Sequence, residues 1–289
     1  MRYLDFDEPL QHNCKLKEVP LESHYKTFIK EDTIVRVKGK ITLLYLTEMS
    51  EFKNLLWACN QLKFVKSTRS RGLETMSNIF GYAPRNERRK LPCRATKMTT
   101  EYPNHFHLLE NAAKFLCELY KKHNPEQYEK HKSLTLENNR KEYSLSDGAF
   151  TSGNINLNTA VRYHYDFGNY ENVWSAMITL KKDIQGGFLS VPEFDLGIEL
   201  SHKSALFFDG QSIMHGVTPI TKLKKQSKRY TIVYYSLKGL WRCLEYRDEI
   251  KQMNKHQQQV MLNKLMAIDL KTERIETEQN ETEGNPPKT

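Results

Sequence analysis

The chain has 289 residues, with 44 Lys and Arg against 35 Asp and Glu, a formal charge of +9 and a pI near 9.1. That length allows a substantial core, and the positive excess favours an anionic partner such as nucleic acid. No stretch of about 18 apolar residues exists to span a membrane as a helix, and residues 1–20 lack the apolar centre of a signal peptide, which predicts a soluble, intracellular protein, cytoplasmic or, in a eukaryote, nuclear. Five cysteines (Cys14, Cys59, Cys93, Cys117, Cys243) are scattered, odd in number and without CxxC spacing, so free thiols are expected and a zinc site is not.

Residues 1–31 read as mostly irregular. Thr33 to Leu46 predicts two strands around the turn Lys38-Gly39-Lys40. Ser50 is placed to cap a helix bearing Phe52, Leu55, Leu56, Cys59 and Leu62. A longer amphipathic helix is expected from His105 to Lys122, with Asn104 as its cap. Between them, Lys66 to Lys97 holds nine basic residues against Glu74 and Glu87, interleaved with Phe80 and Tyr82. Basic side chains neutralise phosphates and aromatics stack on bases, so this segment, with Arg71, Arg85, Arg88 and Arg89, is a candidate nucleic-acid contact. Glu137 to Asp147 reads as a polar loop.

From Ala149 the pattern becomes about eight short strands: 150–157, 160–166, 173–180, 188–191, 197–200, 205–208, 213–217 and 230–237. Turn residues such as Gln185-Gly186-Gly187 and Asp209-Gly210 separate several of them. The expected fold is mainly β with bracing helices, a double-stranded β-helix or jelly roll whose mouth holds a small site. One domain is expected over residues 1–271: a brace over 1–148, a β core over 149–243 and a helix over 244–271. Residues 272–289 carry five glutamates against Arg274 and Lys288 and read as a disordered tail.

Within the core, His164 and Asp166 are two residues apart on an expected strand, which puts both on one face about 7 Å apart along the backbone. His215 follows 51 residues later. An isolated His-x-Asp is ordinarily a surface pair. Two histidines and a carboxylate in this order, each on a strand or strand end, instead suggest the facial triad of non-haem Fe(II) oxygenases, which leaves positions open for other ligands. Arg229 opens the apolar run Tyr230 to Tyr235; an arginine entering a buried strand needs an anion, and its fork fits a carboxylate.

The segments Phe80-Gly81-Tyr82-Ala83-Pro84-Arg85, Tyr163-His164-Tyr165-Asp166-Phe167-Gly168-Asn169 and Phe208-Asp209-Gly210-Gln211, leading into His215-Gly216-Val217-Thr218-Pro219, resemble the oxygenase domain of the TET/J-binding-protein family. Within it the resemblance is to the J-binding-protein branch, and it covers about residues 67–243. It implies an Fe(II)- and 2-oxoglutarate-dependent dioxygenase that uses O2 to hydroxylate the methyl of a 5-methylpyrimidine in DNA, single-stranded or with the base flipped from a duplex. His164, Asp166 and His215 match its iron ligands. Arg229 and Thr231 match the pair holding the distal carboxylate of 2-oxoglutarate. Asn169 matches the asparagine that bonds the flipped base, while Arg71 and Arg85 fall in its basic motif.

No domain for binding glucosylated DNA and no cysteine-rich domain accompany these motifs. The resemblance favours thymine over 5-methylcytosine. Fold does not set substrate, so an oxygenase acting on a protein side chain, an RNA or a small metabolite is the rival. An inactive DNA-binding module is a third reading, opposed by the intact His164, Asp166, His215 and Arg229.

Overall fold

The computed structural model describes residues 1–64, 66–68, 74–89, 91–146, 148–251, 253, 262–263 and 266. Its strands are β1 (Arg2–Phe6), β2 (Thr27–Ile29), β3 (Thr33–Val37), β4 (Lys40–Leu46), β5 (Lys66–Thr68), β6 (Glu74–Ala83), β7 (Arg94–Ala95), β8 (Ser152–Leu157), β9 (Ser175–Lys182), β10 (Ile184–Gly186), β11 (Leu189–Val191), β12 (Leu196–Ile198), β13 (Ser204–Phe208), β14 (Gly216–Val217), β15 (Ile220–Lys222) and β16 (Lys228–Tyr235). The helices are α1 (Lys53–Gln61), α2 (Lys97–Glu101), α3 (Pro103–His123), α4 (Pro125–Asn138) and α5 (Tyr246–Lys251). The expected helix beyond residue 251 and the tail over 272–289 lie outside the described residues, apart from the few named above.

Two sheets face one another as a double-stranded β-helix. The larger runs β1-β3-β4-β13-β9-β16-β8-β6-β5, with β7 beside β6; the smaller runs β14-β11-β12-β2. Alternation along the strands explains the layering. Ala176, Ile178, Leu180, Ala205, Phe207, Tyr230, Ile232 and Tyr234 point one way, onto helices α1 and α3. Met177, Leu206, Phe208 and Val233 point the other way, onto Leu189, Val191, Leu196, Ile198 and Val217. Each large apolar side chain buried in this way contributes about 1.5–3 kcal/mol.

The structure departs from the sequence reading in several places. The segment 160–166 is not a regular strand; it has only a bridge between His164 and His215. Part of the basic segment 66–97, to which the sequence reading assigned no element, is β6, a ten-residue strand paired with β8 through Ser77↔Asn156 to Gly81↔Ser152, so it belongs to the main sheet. Helix α3 begins with Pro103 rather than behind an Asn104 cap, because proline needs no N–H partner in the first turn. Ser50 starts a short 3-10 turn and makes no capping bond.

Helix α4 has no counterpart in the sequence reading. Its buried face is Tyr128, His131 and Thr135 rather than aliphatic, so apolar periodicity is silent there. Polar bonds dock it: His131 Nε2 meets Ser236 Oγ at 2.9 Å, and Thr135 donates to the Ala149 carbonyl at 2.8 Å. Complete burial pushes the His131 pKa down to about 3, so the imidazole packs neutral.

The thiol expectation is also corrected. Cys93 and Cys243 form a disulfide, while Cys14, Cys59 and Cys117 are free. The pairing joins residues 150 apart, which no local spacing reveals. Glu249 lies beside it, accepting both arms of the Arg85 guanidinium at 2.7 and 3.1 Å and the backbone N–H groups of Cys93 and Leu244. Burial would raise the Glu249 pKa, but the bonds from Arg85 and the two N–H groups outweigh it and hold the carboxyl below its usual range. Closing so long a loop restricts the unfolded chain, so Cys93→Ser is expected to lose about 2–5 kcal/mol in a urea denaturation series. An unchanged midpoint, with and without reductant, would contradict this.

Candidate active site

The two histidines reach one place because their segments run antiparallel as a short ladder. His164 N–H donates to the His215 carbonyl at 2.9 Å and His215 N–H to the His164 carbonyl at 3.1 Å; Val217 N–H reaches Val161 at 2.7 Å. Directly opposed residues share a face, and the ring centroids lie 4.3 Å apart. Asp166 joins them because its N–H donates to the Gly210 carbonyl at 2.8 Å. Its carboxylate lies 3.5 Å from His164 Nε2 and 3.9 Å from His215 Nε2. One donor atom from each of the three residues lies within 4.8 Å of the other two.

Backbone carbonyls orient both rings. His164 Nδ1 meets the Arg162 carbonyl at 2.8 Å and His215 Nδ1 the Ile213 carbonyl at 3.0 Å. A carbonyl only accepts, so each Nδ1 carries a proton, and in the neutral ring each Nε2 keeps a lone pair that can bind a metal. Burial, with His164 adding to it, pushes the His215 pKa down to about 4. Burial also acts downward on His164, but the Asp166 carboxylate outweighs it and the net direction is up. Two neutral Nε2 atoms and a carboxylate form a donor set suited to Fe(II).

Asp209 shapes the loop that delivers His215. Its side chain accepts the N–H groups of Asn172, Gln211 and Ser212 and the Ser212 hydroxyl, while its carbonyl accepts Ile213 N–H. In the sequence, Asp209-Gly210 read as a turn and as part of the resembling segment Phe208 to Gln211, with no separate role for Asp209. Gly210 has a second role: a Cβ there would lie 2.6 Å from Asp166 Oδ2 and 3.4 Å from His215 Cε1. Gly210→Ala is expected to displace the carboxylate and weaken Fe(II) or Mn(II) binding about tenfold, with the melting temperature kept. Unchanged metal affinity by titration would refute this.

Arg229 is buried, 1% exposed, on the inner face of β16 opposite Lys181; Thr231 is buried opposite Thr179. Its Nη2 donates to the Gly187 carbonyl at 3.1 Å, and its Nε has no partner among the described residues. Burial pushes its pKa down to about 10, which still leaves it a cation near neutral pH. Gly187 sits against it with φ of +69°, and a Cβ there would meet Arg229 Nε at 3.1 Å. The Gly187 N–H in turn donates to the Pro219 carbonyl, four residues beyond His215. A buried cation with an unpartnered N–H, lined by a glycine that leaves space, suits a carboxylate ligand.

The remaining candidates are spread out. Asn169 is buried three residues beyond Asp166, and its Nδ2 meets Ser175 Oγ at 3.4 Å. Arg85 is exposed and paired with Glu249, while Arg89 is exposed on the turn closed by the Asn86↔Leu91 bridge. Arg71 and the Arg88 side chain lie outside the described residues.

One contributor had no sequence signal at all. A stretch of the N-terminal 31 residues lies along the His164 segment: Lys17 N–H donates to the Tyr163 carbonyl, Tyr163 N–H to the Glu18 carbonyl, and Arg162 Nη1 to the Lys17 carbonyl. Pro20 closes over Gly216, next to His215.

The model of the family Tet_JBP, described as the oxygenase domain of the 2OGFeDO superfamily, matches residues 77–238. This chain belongs to the Tet_JBP family. It is an oxygenase of the Fe(II)- and 2-oxoglutarate-dependent class, and that class uses Fe(II), 2-oxoglutarate and O2. Among curated proteins it is similar to a bifunctional helicase and thymine dioxygenase, JBP2, of Trypanosoma brucei brucei, with 26% identity over 152 residues. That match covers 53% of this chain and 13% of the other, so this chain spans a small part of that relative. Among solved structures, NgTET1 in complex with 5mC DNA superposes with a TM-score of 0.57 at 16% identity, covering 83% of this chain and 89% of the other, a likeness of fold. The N-terminal strap and the strands before residue 77 lie outside the Tet_JBP match.

Proposed function

We propose that this Tet_JBP chain hydroxylates the 5-methyl group of a pyrimidine in DNA, with thymine the preferred base and 5-methylcytosine the alternative. The observation that carries the reading is the convergence of His164, Asp166 and His215 in a fold that also buries Arg229 with its Nε unpartnered among the described residues. His164 Nε2, His215 Nε2 and the Asp166 carboxylate would hold Fe(II). Arg229 would pair with the distal carboxylate of 2-oxoglutarate, with Thr231 beside it. When bound, iron and 2-oxoglutarate supply the oxidising chemistry with O2.

The chain's own residues do the rest. The carbonyls of Arg162 and Ile213 keep both imidazoles in one tautomer. Phe208, edge-on to His215 at 4.8 Å, is an apolar wall on that side. Asn169, with a donor and an acceptor, would read the edge of the target base. A methyl inside a duplex cannot reach buried ligands, so the nucleotide enters flipped or single-stranded. The net charge of +9 and the named activities of the relatives, thymine oxidation for JBP2 and binding of 5mC DNA for NgTET1, support DNA as substrate. Thymine is preferred because the relative detected by sequence is the thymine enzyme.

The test is mass spectrometry of oligomers carrying thymine or 5-methylcytosine, with Fe(II) and 2-oxoglutarate, across a salt series. Hydroxymethyl product is expected, with DNA affinity falling steeply as salt rises. Arg88→Glu with Arg89→Glu should weaken all sequences alike. Asn169→Ala should reduce turnover by ~1–3 kcal/mol and leave the salt slope unchanged. Salt-independent binding with no oxidised pyrimidine would overturn the DNA reading.

A further inference from the structure

Phe167 stands next to Asp166 in sequence and is 69% exposed, the highest among the exposed large hydrophobic side chains of the described residues. Its ring leans on Tyr165 with centroids 6.1 Å apart. The loop that carries it is tied at both ends. Asp166 N–H donates to Gly210, Phe167 N–H to the Tyr165 carbonyl at 3.0 Å, and Lys238 N–H to the Gly168 carbonyl at 3.0 Å. Asn169 is bridged to Leu237. Gly168 adopts φ of +98° with no atom within 4 Å of the Cβ position, so the rim beside the ring is open. Lys238 adds a positive charge there, paired with Glu171. A phenyl ring in water forfeits its burial, and a ring on a floppy tip would pay an ordering cost on binding; this one is held out by backbone bonds before any partner arrives.

We infer that Phe167 is the side chain that enters the base stack of duplex DNA next to the target nucleotide and holds the gap when that nucleotide flips. The inference rests on the DNA reading above. A base that leaves the stack loses its neighbours, and proteins that unstack DNA compensate by inserting apolar side chains between base steps. The target methyl must travel inward to His215, which is 8% exposed. A ring at the outer lip meets what stays outside, namely the neighbouring bases. Stacking on a π-face is tolerant of sequence, so Phe167 would set the preference for duplex over single strand and not the base identity.

The experiment compares wild type, Phe167→Ala and Phe167→Trp on three oligomers of one sequence: the paired duplex, the duplex with an abasic site opposite the target, and the single strand. Oxidised pyrimidine is quantified by mass spectrometry. A 2-aminopurine next to the target reports unstacking by its fluorescence. Phe167→Ala is expected to lose at least tenfold in kcat/KM on the paired duplex and less than threefold on the single strand, with the abasic duplex recovering most of the loss. The 2-aminopurine signal should fall with it, and Trp should restore both. Melting temperature should match wild type, since the ring is exposed. An equal loss on single strand and duplex, or no loss on either, overturns the role of Phe167 and leaves the DNA reading standing. Wild type that oxidises none of the three oligomers overturns both.

Discussion

His164→Ala and Asp166→Ala are each expected to keep the wild-type melting transition while turnover falls below about one-thousandth, roughly 4 kcal/mol of transition-state stabilisation. The structure separates the two effects. The His164 side chain is 36% exposed and that of Asp166 29%, so neither removal opens a cavity in the core. The ladder that aligns the segments is backbone, from His164 to His215 and from Asp166 to Gly210, and it survives truncation of the side chains. What is lost is one of three donors. Metal titration with Mn(II), followed by 2-oxoglutarate turnover, measures both. Stoichiometric metal with normal turnover in either variant would remove the ligand assignment.

Arg229→Met is expected to raise the 2-oxoglutarate KM about ten- to a hundredfold, the loss of a charge-assisted pair worth ~1.5–3 kcal/mol. Its second consequence is less usual. Arg229 is 1% exposed and, among the described residues, its guanidinium bonds only to the Gly187 carbonyl, so in the absence of 2-oxoglutarate it is a desolvated cation with no counter-ion among them. Replacing it with an apolar side chain of similar length removes that desolvation cost. The melting temperature without ligand should therefore hold or rise, while the upward shift produced by 2-oxoglutarate disappears. A destabilised variant that still answers to 2-oxoglutarate would mean that Arg229 is structural.

Much of the fold was legible. Apolar alternation found β3 and β4 and most of β8, β9, β13 and β16, because those strands have one face on the helices and one on the smaller sheet. The helical spacing of Leu108, Leu109, Ala112, Phe115, Leu116 and Leu119 found α3, which buries Leu109, Ala112 and Leu116 and, beyond that pattern, Ala113 and Tyr120. Helix α4 escaped because its packing uses His131 and Thr135 hydrogen bonds, which leave no apolar period. The candidate site was legible as residue types in order, His-x-Asp, then His, then Arg, though for a reason that needed correction. His164 and Asp166 are not neighbours on a strand face; the first is placed by a bridge to His215 and the second by a bond to Gly210.

By itself, the sequence determined which chemical groups are available: two imidazoles, a carboxylate and an arginine within a strand-rich half, and an excess of positive charge. Side-chain chemistry is local, so it survives being read one residue at a time. Only the tertiary structure decided which groups meet. It paired Cys93 with Cys243 across 150 residues, bound Arg85 to Glu249, left Arg229 Nε without a partner among the described residues, and laid Lys17 and Glu18 along the His164 segment. Each of these depends on contacts between residues far apart in the chain, whose loop-closure cost is met by the whole core and leaves no trace in local spacing.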